Sequence, residues 1–174
     1  MPDSFIPTSA ELLRILPEII LVLAATLIMV LAPLVKGREQ NALGYVSLYG
    51  LVAALAAALS GYFDPGPAFH QLILVDGFAT YFRVLVIFAG ILTTLASYQY
   101  LRREDADSGE YYALLLFSVS GQSLMAASND LIMIFIGLEI SSLASYVMAG
   151  FLRNRAQAIE AALKYFLLGS FATA

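Results

Sequence analysis

LIMIFIGLEISSLASYVMAGFL, residues 131–152, holds a single charged residue, Glu139, in a run otherwise suited to hydrocarbon. About 20 such residues, coiled as a helix, cross a bilayer core of roughly 30 Å. Unsatisfied backbone groups in lipid cost several kcal/mol each, so a run of this composition is expected to be helical. Further apolar runs of spanning length flank it, at 15–35, 42–63, 78–101, 111–128 and 156–174. The sequence therefore predicts an all-α polytopic membrane bundle of six transmembrane helices in a single membrane domain, with the sixth still running at Ala174.

Composition agrees with this reading. Hydrophobic residues make up 60% of the 174 and charged residues 13%, against roughly 25% charged in soluble domains. The net charge of −4 comes from acids that fall largely in short connections, and nothing in it points to nucleic acid. With no cysteine and one histidine, His70, thiolate metal sites, disulfides and cysteine catalysis are excluded. The stretch before the first run, MPDSFIPTSAELLR, carries one basic residue and two acids, and the run after it is long; both features argue against a cleaved signal peptide.

Lys and Arg alternate across the five connections. Two occur in KGREQ at 36–40 and none at 64–77; Arg102 and Arg103 follow the third run; none lies at Asn129–Asp130; Arg153 and Arg155 follow the fifth. This is the positive-inside pattern of six spans with the N-terminus outside. Asp76 and Asp130 stand where they would cap the helices that follow.

Arg83, Glu139 and Lys164 lie well inside predicted spans, and Glu18 lies nearer the start of the first. Glu139 is about 3 Å from the centre of its span at 1.5 Å per residue. A charge there costs roughly 2.5 to 3.5 kcal/mol on insertion scales unless it is neutralised, paired or hydrated. Ser142 and Tyr146 follow Glu139 at i+3 and i+7 on one face, with Ser141 and Ser145 a little to the side. In SVSGQS, residues 118–123, Ser118 and Gln122 are one turn apart, and the two polar faces could line one hydrated groove. Serine and glycine could equally serve close helix packing.

The short connection around RNRA makes the fifth and sixth spans antiparallel neighbours. From the basic ends, Glu139 is then about 20 Å deep and Lys164 about 12 Å deep. That separation admits direct or water-linked pairing. Lys164 could instead snorkel or pair with Glu160, one turn before it. Arg83 reads as an interfacial or structural residue, and His70 as a loop residue.

The fifth span, NDLIMIFIGLEISSLASYVMAGF, with AIEAALKYFLLGSFATA after it and ILPEIIL at 15–21, resembles the antiporter-like membrane subunit N of proton-pumping NADH:quinone oxidoreductase, respiratory complex I. The resemblance implies a subunit of about fourteen helices, of which this chain is the first third or so. It also implies proton transfer through Glu139 and Lys164; the two polar faces read from helical spacing would add Ser118, Gln122, Ser142 and Tyr146 as supporting polar groups. Later helices would supply further lysines. NAD, FMN, iron–sulfur clusters and quinone are implied in partner subunits only, since this chain has neither cysteine nor a G-x-G-x-x-G loop. Its partners would be the other membrane subunits, lipid and protons, and its location a bacterial inner membrane. Two alternatives stay open: a subunit of a multisubunit cation/proton antiporter, and a structural membrane component in which Glu139 and Lys164 only fix helix packing.

Overall fold

A computed structural model describes residues 7–35, 40–104, 106 and 109–173. The expected basic connection at Lys36 and Arg38, and the end of the sixth run at Ala174, lie outside these residues. Among the described residues seven helices form: α1 (Ser9–Arg14), α2 (Leu16–Leu31), α3 (Gln40–Ser60), α4 (Gly77–Arg103), α5 (Gly109–Ala127), α6 (Leu131–Ala149) and α7 (Ala156–Thr173). A small antiparallel hairpin, β1 (Gly66–Ala68) with β2 (Ile73–Val75), lies between α3 and α4.

The helix ends have local causes. Thr8 and Glu11 form a reciprocal capping box on α1. Pro17 in the first turn of α2 lacks an amide hydrogen that the helix start does not need. Pro33 cannot donate to the turn before it, and α2 closes at Leu31 in a short turn to Val35 rather than running on. The Asp76 carboxylate accepts from the Ala79 amide at 2.7 Å and the Asp130 carboxylate from that of Ile132 at 2.8 Å, capping α4 and α6.

Three helices among the described residues are long and apolar enough to cross a membrane: Ala42–Ser60, Gly77–Arg103 and Leu131–Ala149. α2 is apolar but shorter, 16 residues, or about 24 Å at 1.5 Å per residue.

α5 is the central helix. It packs against α2, α3, α4 and α6. Its Ala113, Leu116 and Val119 join Leu21, Ala25 and Ile28 of α2, Leu51, Ala54 and Ala58 of α3 and Ile87 of α4 in one core. The backbones of α5 and α6 touch: a Cβ on Gly121 would stand 2.5 Å from the Gly137 carbonyl oxygen. Small residues permit such close approach of membrane helices. α7 packs on α6 and buries none of its residues among those described.

The hairpin covers one end of the bundle. Ala68, Ile73 and Val75 bury against Ala79 and Ala127. Its tip, Phe69, His70 and Gln71, holds three successive left-handed conformations with φ of 51°, 56° and 68°. Neighbours hold this tip. The Phe69 amide donates to Glu11 at 2.8 Å, and Asn129 donates through its amide nitrogens to the carbonyls of Leu72 and Gln71. Arg14 donates to the Pro67 carbonyl at 2.6 Å. At the opposite end, Arg155 pairs with Glu104 and Arg153 with Glu110, joining the α6–α7 connection to the end of α4 and the first turn of α5.

Candidate functional site

Gly137, Ser141, Ala144 and Ser145 follow one another at i+4, i+7 and i+8 along one face of α6. Because Gly137 fixes the contact with α5, that face turns its serines to α5. Ser118 Oγ lies 3.1 Å from Ser141 Oγ and 3.4 Å from Ser145 Oγ. Gln122 Nε2 donates to the Ser118 and Ser141 hydroxyls, each at 3.2 Å. The sequence set Ser118 and Gln122 opposite Ser142 and Tyr146; the structure sets them opposite Ser141 and Ser145. The glycine contact decides this, since it fixes the roll of α6, and helical spacing within one helix carries no information about it.

Glu139 therefore stands about 200° around α6 from Gly137, at 100° per residue. α6 has two polar faces, a serine face toward α5 and a second face with Glu139, Ser142 and Tyr146. Glu139 is half-buried and has no hydrogen bond or ion pair among the described residues. Tyr146 connects this second face to α7. Its ring meets Tyr165 edge-on at 4.8 Å and Phe166 at 5.7 Å between centroids.

Lys164 is placed differently from a partner of Glu139. Its Nζ lies 2.5 Å from Glu160 Oε1, the local i−4 partner, with side chains 68% and 63% exposed. Among the described residues Glu139 and Lys164 form no ion pair.

Sequence reasoning missed one cluster. Arg83 of α4 and Glu18 of α2, 1% and 5% exposed, form a buried ion pair. Arg83 Nη2 lies 3.0 Å from each carboxylate oxygen. Ser123 Oγ of α5 donates to Glu18 Oε1 at 2.6 Å, and Arg83 Nη1 donates to the Arg14 carbonyl at 3.1 Å. The available signal was topological: with alternating spans, the starts of α2 and α4 and the end of α5 meet at one end of the bundle. Among the described residues no group of three or more His, Cys, Asp or Glu gathers as a metal site would require.

The family model described as "NADH:quinone oxidoreductase/Mrp antiporter, TM" matches residues 128–174, which include all of α6 and α7. The chain is 61% identical over 173 residues to "NADH-quinone oxidoreductase subunit N 1" of Solibacter usitatus, covering 99% of this chain and 36% of that protein. It is 41% identical to "NADH-quinone oxidoreductase subunit N 2" of Koribacter versatilis, covering 97% of this chain and 36% of that one. Among solved structures, respiratory complex I from Thermus thermophilus with bound aureothin contains a chain that matches with a TM-score of 0.73 at 30% identity, over 90% of this chain and 34% of that chain. The chain thus spans about a third of the length of the curated relatives it matches.

Proposed function

We propose, for a chain that belongs to the family of NADH-quinone oxidoreductase subunit N, that it supplies part of a proton path coupled to electron transfer from NADH to quinone. The observation that carries the proposal is Glu139: a half-buried carboxylate with no ion pair among the described residues, on an apolar helix long enough to span a membrane. Such a group is costly in lipid unless it is neutralised, paired or hydrated, and intramembrane carboxylates are how pumps relay protons. Glu139 takes up and releases the proton, and Ser142 and Tyr146 lie along its face. Lys164, one helix away, exchanges its contact with Glu160 for one with the path. Ser118 and Gln122 support α6 from behind, through Ser141.

The redox groups, namely NAD, FMN, iron–sulfur clusters and quinone, belong to partner subunits in this reading. The chain lies in a bacterial inner membrane with its N-terminus outside, against other membrane subunits and lipid. The description of the matched family model also names Mrp antiporters, which keeps the antiporter reading as the second one; the subunit N relatives, similar over nearly the whole chain, favour the redox-coupled reading.

The test is proton pumping by the full-length subunit in its assembled complex, in sealed membrane vesicles. Glu139→Ala lowers pumping and coupled quinone reduction while the complex still assembles, and Glu139→Asp keeps part of the activity. Unchanged pumping in a normally assembled Glu139→Gln complex would leave Glu139 a packing residue and refute the proposal.

A further inference from the structure

We infer that Glu18, Arg83 and Ser123 are positioning residues: a buried ion pair that sets the roll of α5 and so seats Ser118 and Gln122 against Ser141 on α6. The consequence for pumping rests on the reading of Glu139 above; the geometric claim stands on its own.

Three helices meet at this pair. Glu18 comes from α2, Arg83 from α4 and Ser123 from α5, and both charges are more than nine-tenths buried. Each carboxylate oxygen has fixed partners. Oε1 receives the Ser123 hydroxyl and faces the guanidinium, and Oε2 receives Arg83 Nη2. Glu139 differs, with no partner among the described residues. A carboxylate enclosed in this way suits the joining of helices better than the passing of protons. Buried charge pairs rarely add net stability, and their best-attested use is to specify one arrangement over others.

The arrangement specified here is the roll of α5. Ser123 adjoins Gln122 in the chain, about 100° around the helix, and lies about 140° from Ser118. Holding the Ser123 hydroxyl on Glu18 therefore aims the Gln122 amide and the Ser118 hydroxyl away from α2 and toward α6. There they meet Ser141 at 3.2 and 3.1 Å. Arg83 extends the site to the covered end of the bundle, since it holds the Arg14 carbonyl while Arg14 itself holds Pro67.

These 174 residues contain no cysteine, so no native thiol among them competes with an introduced pair, and the parent without the pair serves as the background control. Ser118→Cys with Ser141→Cys replaces two oxygens that stand 3.1 Å apart. In the full-length subunit within its assembled complex, copper-phenanthroline oxidation should join the pair rapidly. Adding Glu18→Gln should slow the joining roughly tenfold, within what a hydrogen bond to a charged group supports. Ser123→Ala should slow it as well, and Ser123→Thr, which keeps the hydroxyl, should restore it. Pumping should fall in step with joining. Unchanged joining in Ser123→Ala would overturn the inference even where Glu18→Gln fails to assemble. Lowered pumping with unchanged joining would overturn it too, since Glu18 would then be handling protons itself. Glu139→Gln keeps joining fast; if that variant also pumps normally, the functional reading fails while the positioning result stands.

Discussion

The hydroxyl of Tyr146 on α6 lies directly over Gly169 on α7, where a Cβ would stand 1.9 Å from the oxygen. The tyrosine is thus one point at which the Glu139 face of α6 meets α7, with Tyr165 and Phe166 closing around its ring. Glycine at 169 is a requirement of this contact.

Gly169→Ala should force the Tyr146 ring to swing aside and cost about 1 to 3 kcal/mol, the usual range for overpacking. Tyr146→Phe in the same chain removes the nearest atom and should recover part of the loss. Thermal unfolding of the purified complex, followed by the solubility of this subunit, reads both. Equal stability of Gly169→Ala and the parent would place the Tyr146 ring elsewhere.

Gly121→Ala should be the more damaging change. Its new Cβ would meet the Gly137 carbonyl at 2.5 Å and the Ser141 amide at 2.7 Å, backbone atoms that cannot rotate away. The helices must separate, which stretches the hydrogen bonds among Ser118, Gln122 and Ser141. Amide exchange in the middle of α5 and α6 should quicken in this variant.

Removing one partner of the buried ion pair should cost far more than removing both. Arg83→Met leaves Glu18 buried without its counter-charge, a loss of about 3 to 5 kcal/mol, whereas Arg83→Met with Glu18→Leu should be much milder. Subunit levels in the membrane, compared across the two single variants and the double, give the answer. A double variant as poorly accumulated as the worse single one would contradict it.

Glu160→Gln should leave the fold almost untouched. The Glu160–Lys164 pair is exposed on both sides, and pairs of this kind at i, i+4 contribute about 0.3 to 0.5 kcal/mol. Subunit levels should match the parent, and a large loss of assembly would mean that the pair is covered.

Acid should loosen the hairpin tip. Hydrogen bonds to Glu11 from the Thr8 backbone, then the Phe69 backbone, hold its carboxyl below the usual glutamate range. A depressed folded-state value means that the tie is present at neutral pH, above the unfolded value, and is lost as pH falls through the folded one. Proteolytic nicking at Phe69–Gln71 should therefore rise below about pH 4.3, the ordinary glutamate value, and Glu11→Gln should remove that pH dependence.

What the sequence revealed and what it hid divide along physical lines. The apolar run at 131–152 announces a helix because in lipid the backbone has few other solutions, and Glu139 stands out there as a lone charge. Asp76 and Asp130 are legible as caps because the signal is local. The partner of Ser118 was not legible: it depends on the roll of α6, which Gly121 and Gly137 set across two helices. The burial of Arg83 was hidden for a similar reason, since its counter-charge lies 65 residues away. The hairpin was hidden by its length, three residues per strand, too few for an alternating pattern to emerge from a turn-rich loop.

α6 wears Ser141 and Ser145 on one flank of a rigid rod and Glu139 on the opposite one. Like a cam on a shaft, it cannot twist to offer Glu139 a new neighbour without also prising Ser141 from Gln122. Whatever turns the shaft must work against the grip of those hydroxyls.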